Sequence, residues 1–209
     1  MERACGHRTL RYLALGDSYT IGTGASDDAH AWPSIIASRL GAELTNPAVN
    51  GYTTEDLIRD ELPLVRTMTP DLVTILIGVN DLVQGRTPDA YRRSVQIIYD
   101  EIAGRRVVAV SIPTWSYVPA AADFGGADQV ERLTGVFNGV ALEEARARGF
   151  AWIDLGPVSA SRIGSDGWIA SDQLHPGDAQ YAAWAEVIWP VVSRLTGIAA
   201  PARPPTPER

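Results

Sequence analysis

The sequence predicts an α/β protein: a three-layer αβα sandwich around a doubly wound, five-stranded parallel sheet. Three observations predict it. Short apolar runs alternate along the chain with longer stretches of helical spacing, the pattern of repeated strand–helix units. The clearest of these runs are continuously apolar and rich in β-branched residues, as strands covered on both faces require. Finally, 209 residues with 45% hydrophobic content and 6 Trp suit one buried core rather than two.

The elements follow in order. Tyr12 to Leu15 is a short strand ended by Gly16, and Trp32 to Leu40 has helical spacing until Gly41 stops it. Leu44 to Val49 is a weaker strand, broken by Pro47. A helix is expected over Thr54 to Val65, with Thr53 or Thr54 as cap and Glu55 and Asp56 in its first turn. Leu72 to Ile77 is the clearest buried strand, and Pro88 to Ile102 a helix whose first-turn proline follows a Thr87 cap. Val107 to Ile112 is a strand closed by Pro113. Thr114 to Gly126 has no period, Asp128 to Arg148 returns to helical spacing, and Ala151 to Ile153 is a fifth strand. A last helix is expected from Pro176 to Leu195. Residues 10–198 thus read as a single domain and 199–209, with four prolines, as a disordered tail.

In such sheets ligands bind outside the carboxyl ends of the strands, near the switch point of the strand order. The loops beginning at Gly16, Asn50, Gly78 and Pro113 should therefore open on one edge.

Composition narrows the chemistry available there. The 18 basic residues against 25 acidic ones give a net charge of −7, which argues against a nucleic-acid partner. All 18 are Arg, so a P-loop lysine, a Schiff-base lysine and a lysine general base are excluded. One cysteine, Cys5, allows neither an internal disulfide nor a Cys-rich zinc site. Histidine is limited to His7, His30 and His175. Asp27, Asp28 and His30 could be imagined as metal ligands, but no second cluster stands at metal spacing; a solvated loop is the expected reading, with no metal and no cofactor. The charged N-terminal residues and the short apolar run after them do not form a signal segment, and no stretch approaches the ~18 apolar residues of a spanning helix. A cytoplasmic protein without a membrane span is expected, and nothing in the sequence bears on oligomeric state.

Two segments carry candidate chemistry. Gly16-Asp17-Ser18 follows the first strand, where a serine at a strand-to-helix turn exposes its hydroxyl at the binding edge; taken alone it reads equally as a turn or cap. Asp172-Gln173-Leu174-His175-Pro176 precedes the last helix. A carboxylate three residues before a histidine can fold back to accept the Nδ1 proton and leave Nε2 free as a base, although both residues could instead cap the helix. Together they supply a nucleophile, a base and an orienting group.

With these residues in view, the chain resembles an SGNH hydrolase of the GDSL esterase and lipase family. Block one resembles Gly16-Asp17-Ser18, block two Asn46 through Thr53 with Gly51 at the family glycine, block three Gly78-Val79-Asn80-Asp81, and block four Asp172 through Pro176. Tyr19 stands where the family name has leucine, and Tyr52 follows Gly51 where many members carry a small or acidic residue.

The resemblance implies a small-molecule acyl ester or thioester as substrate, with Ser18 as nucleophile and His175 and Asp172 as its partners. The expected oxyanion donors are the backbone N–H groups of Ser18 and Gly51 and the side-chain amide of Asn80. Asp81 is expected to be structural. Val79 and the apolar loop residues Trp115, Tyr117 and Phe124 are expected to line the substrate pocket, the loop's alternative role being packing over the neighbouring helix. Two other functions remain open from sequence. One is a flavodoxin-like phosphate or flavin module using the hydroxyls and glycines of Ser18 to Gly24, whose dinucleotide fingerprint lacks its third glycine at Asp27. The other is a catalytically idle carbohydrate-binding relative.

Overall fold

The computed structural model describes residues 8–199, so the predicted tail lies, but for Ala199, outside the described residues. Five strands form one sheet: β1 (Arg11–Gly16), β2 (Glu43–Thr45), β3 (Leu72–Leu76), β4 (Arg106–Val110) and β5 (Ala151–Ile153). All four pairings are parallel and the order is β2-β1-β3-β4-β5, a doubly wound arrangement with its switch point between β1 and β3. The sequence expectation of a parallel α/β sandwich holds. Strand β3 is buried along its whole length, which is why it reads as an unbroken apolar run.

Helices cover both faces. On one, α2 (Trp32–Leu40) packs on α9 (Asp178–Thr196); on the other, α6 (Pro88–Ile102) packs against α3 (Thr54–Asp60) and α7 (Ala127–Ala147). The remaining helices are short: α1 (Ser18–Ile21), α4 (Leu64–Met68), α5 (Val79–Val83) and α8 (Gly156–Ser159). Trp32, Trp168 and Trp184 are fully buried, and each indole N–H finds an acceptor: Tyr19 O, Ser159 O and Ser159 Oγ respectively. Among the described residues no helix is long and apolar enough to cross a membrane.

Three expected boundaries differ, each for a local reason. Strand β2 stops at Thr45, because Pro47 lacks an N–H for the ladder and Asn46 turns its side-chain amide to Thr20 O at 2.8 Å. The expected helix from Thr54 to Val65 is two helices, parted over residues 61–63, where Pro63 has no N–H to continue the ladder. The last helix begins at Asp178 rather than Pro176. His175 O accepts from Ala170 N at 2.8 Å and Gly177 N donates to Trp168 O at 3.0 Å, so residues 175–177 lie as a short ribbon along 168–170. That ribbon, not the helix, fixes where His175 sits.

The aperiodic stretch after β4 folds into a 3-10 turn over Pro119–Phe124. Trp115, Val118 and Ala121 join the main core, and Trp115 Nε1 donates to Thr134 Oγ1 on α7 at 3.0 Å.

Candidate active site

The predicted site residues come from five connections, one after each strand, at the carboxyl edge of the sheet. The first begins at Gly16. A Cβ there would lie 2.3 Å from Leu76 O and 2.2 Å from Thr20 Oγ1, so only glycine lets β1 turn this sharply into α1. Asp17 caps that helix through Oδ1, accepting from Tyr19 N at 3.0 Å. Ser18 is therefore the first residue of α1, 6% exposed, with an N–H that the helix itself does not use.

Ser18 shares one cleft with Tyr19, Val79, Asn80, Val83, Trp115, Phe124, Leu174 and His175. Most of this wall is apolar, and Ser18, Asn80 and His175 are among its polar members. Behind His175, Asp172 folds back as its spacing suggests. Its Oδ1 accepts from the N–H groups of Leu174 and His175 at 3.0 and 2.9 Å, while Oδ2 lies 2.6 Å from His175 Nδ1. Gln173, between them, adopts the left-handed backbone at φ 63° that makes the turn possible. Burial works against the Asp172 carboxylate, but the hydrogen bonds from the His175 ring and the two N–H groups outweigh it and hold its pKa below the ordinary value. Asp172 is thus anionic at neutral pH.

Asn80 lies in the first turn of α5 and donates one amide hydrogen to Tyr52 O at 2.9 Å. The second amide hydrogen has no acceptor among the described residues. Gly51, next to Tyr52, has φ +81° and open space where a Cβ would point; it adjoins the cleft through this Asn80 tie and is not itself on the cleft wall. Asp81 strengthens the link between the two loops. Fully buried, it accepts from Thr54 N at 2.8 Å and Thr54 Oγ1 at 2.6 Å, with Arg86 NH1 at 3.5 Å.

Val79, Trp115 and Phe124 line the cleft, the last two edge to face at 5.6 Å between centroids. Trp115 packs into the core cluster and Phe124 against it, and both also face the cleft. Tyr117 stands apart, in an adjoining recess walled by Tyr19, Trp115, Leu174 and His175, with its hydroxyl accepting from Gln180 Nε2 at 2.9 Å. Tyr19, Val83 and Leu174 were not singled out from the sequence. Tyr19 is 3% exposed and wedged edge-on between His175 and Trp184, at 6.0 and 5.9 Å. Its position directly after the serine was the available signal.

Asp27 and His30 bind each other, Oδ1 to Nδ1 at 2.7 Å, while Asp27 Oδ1 also caps a 3-10 turn on the exposed surface. The Ser18 to Gly24 segment opens with the single helical turn Ser18–Ile21, and the Asp17 carboxyl at its N-terminus places an acid where a bound phosphate would need donors.

Residues 14–183 match the family model of the GDSL-like lipase/acylhydrolases, from the middle of β1 into α9. The chain belongs to that family. Membership in this GDSL family supports ester hydrolase activity and a small-molecule ester as substrate. Lipase 2 of Streptomyces coelicolor is 37% identical over 89 residues, a match spanning 35% of this chain and 30% of that protein. The crystal structure of a lipase/acylhydrolase from Enterococcus faecalis superposes with a TM-score of 0.73 at 20% identity, covering 93% of this chain and 100% of that one. TesA superposes with a TM-score of 0.71 at 22% identity, covering 88% and 99%. At these identities the two structures establish the shared GDSL hydrolase fold.

Proposed function

We propose that this GDSL hydrolase is a serine esterase that cleaves carboxylic acyl esters, or thioesters, through an acyl-serine intermediate. The observation that carries the proposal is the 2.6 Å contact between Asp172 Oδ2 and His175 Nδ1, made by a histidine that shares its cleft with Ser18. An acceptor at Nδ1 fixes that proton there, leaving Nε2 as the lone-pair nitrogen able to take the Ser18 proton.

In the proposed reaction Ser18 Oγ attacks the ester carbonyl as His175 Nε2 takes its proton. The carbonyl oxygen becomes anionic and meets the N–H groups of Ser18 and Gly51 and the amide of Asn80. Collapse of the intermediate breaks the bond to the leaving oxygen or sulfur, which receives the proton from His175. Water, activated by the same imidazole, then cleaves the acyl-serine and restores both residues. The anionic Asp172 stabilises the imidazolium formed in each half.

The apolar wall of Val79, Val83, Leu174, Trp115 and Phe124 is the proposed acyl subsite, with Tyr117 bounding it from the adjoining recess. A panel of p-nitrophenyl esters of increasing chain length tests this. Turnover of the panel supports the esterase reading, and Trp115→Ala and Phe124→Ala should shift the optimum towards longer chains. An unchanged chain-length profile in both variants would contradict the subsite assignment.

A further inference from the structure

Two buried carboxyl groups grip the chain on either side of Ser18, and the proposed reaction uses neither. On the amino side Glu61 Oε2 accepts from Gly16 N at 3.0 Å; on the carboxyl side Asp17 Oδ1 accepts from Tyr19 N at 3.0 Å. Asp17 is 0% and Glu61 1% exposed. Each keeps one buried oxygen, Asp17 Oδ2 and Glu61 Oε1, without a hydrogen-bond donor. Two bare carboxylates in such a place would leave two uncompensated charges, which burial strongly opposes. A proton on each removes that penalty.

We propose that Asp17 and Glu61 are two buried acids that position Ser18, holding its turn in working geometry while they are protonated and impairing catalysis when the protons are lost to solvent. The inference rests on the esterase reading for its catalytic part. Glu61 has this role because the helix break before Pro63 ends α3 at the residue ahead of it, and its side chain then reaches Gly16, 45 residues earlier.

The surroundings favour retention of a proton. Burial, offset partly by the Tyr19 N–H and reinforced by Asp81, lifts the Asp17 pKa to about 7. Burial, offset by the Gly16 N–H and reinforced by Asp17 and Asp60, lifts that of Glu61 to about 8. Asp81 on α5 is itself raised by burial, and the nearby cation is Arg86, bound to Asp81 and to Glu55. Tyr91 from α6, Tyr19 from α1 and Tyr181 from α9 also face Asp17, and all three are held neutral by burial. Both carboxyls thus bind protons more tightly folded than unfolded. Their contribution favours the folded state below the ordinary carboxyl range and is lost progressively as pH rises to the folded values, about 7 and about 8. Above them, the turn that carries Ser18 is held by buried anions.

The test compares wild type with Glu61→Gln and Asp17→Asn, by melting temperature and by ester kinetics against pH. Glutamine can still accept from Gly16 N through its amide oxygen and carries no charge at any pH. In wild type, kcat should fall by roughly tenfold from its neutral value one pH unit above the upper ionisation, with KM little changed. The melting temperature should decline over the window from about pH 5 to about pH 8. Glu61→Gln should flatten both alkaline declines, and Asp17→Asn should flatten the melting profile. Melting profiles parallel to wild type in both variants would overturn the pair, as would a Glu61→Gln variant that keeps the wild-type alkaline fall in kcat. A wild type that turns over no ester at any pH would refute the esterase reading instead, and the melting profiles still decide whether the two acids hold their protons.

Discussion

Replacing Ser18 by alanine is expected to lower kcat for p-nitrophenyl esters by roughly 10⁶-fold, the scale on which serine hydrolases respond to loss of the nucleophile. The residue is small, sits in the first turn of a capped helix, and its Oγ makes no hydrogen bond on which that turn depends, so the fold should survive with an unchanged melting temperature. KM should change little, because the apolar wall that holds the acyl group stays in place. His175→Ala should cost a similar factor. The double variant should be no worse than either single one, since nucleophile and base act as a unit. Multiplying losses in the double variant would mean that the two residues do not act on one another.

The second large effect is expected at Asn80. Its side chain is the one non-backbone donor proposed for the oxyanion, and loss of such a donor costs about 2.7–4 kcal/mol, or roughly 10²–10³-fold in kcat. Asn80→Ala also removes the 2.9 Å bond to Tyr52 O, a single partly exposed hydrogen bond worth about 1 kcal/mol. The two consequences separate cleanly: kcat falls steeply while stability falls slightly. A variant that lost stability and kept its rate would make Asn80 a loop tie and nothing more. The Asp81 bonds to Thr54 should hold the two loops together in either case.

Much of this architecture was legible in the sequence because its signals are local. Strands β3 and β4 announce themselves as β-branched runs, α6 by its Thr87 cap and Pro88, and the Asp172–His175 contact by a spacing that one turn of backbone closes. The failures were also local in cause but tertiary in outcome. Pro176 looks like a helix start, yet the ribbon with residues 168–170 holds it outside α9. A single helix over 54–65 passes over Pro63, and Glu61 carries no signal of its own within it. Its meaning comes from Gly16, a contact that no spacing rule reaches. Tyr19 was noted as a departure from the motif, whereas its packing between His175 and Trp184 depends on how α9 lies against α1.

Fluorophosphonate labelling, followed by mass spectrometry of the intact protein and its peptides, decides whether Ser18 is the nucleophile activated by His175. One phosphonyl group should appear on the peptide containing Ser18 in the wild type, none there in Ser18→Ala, and labelling should slow sharply in His175→Ala. An adduct on a different residue, or ester turnover persisting in Ser18→Ala, would contradict that role.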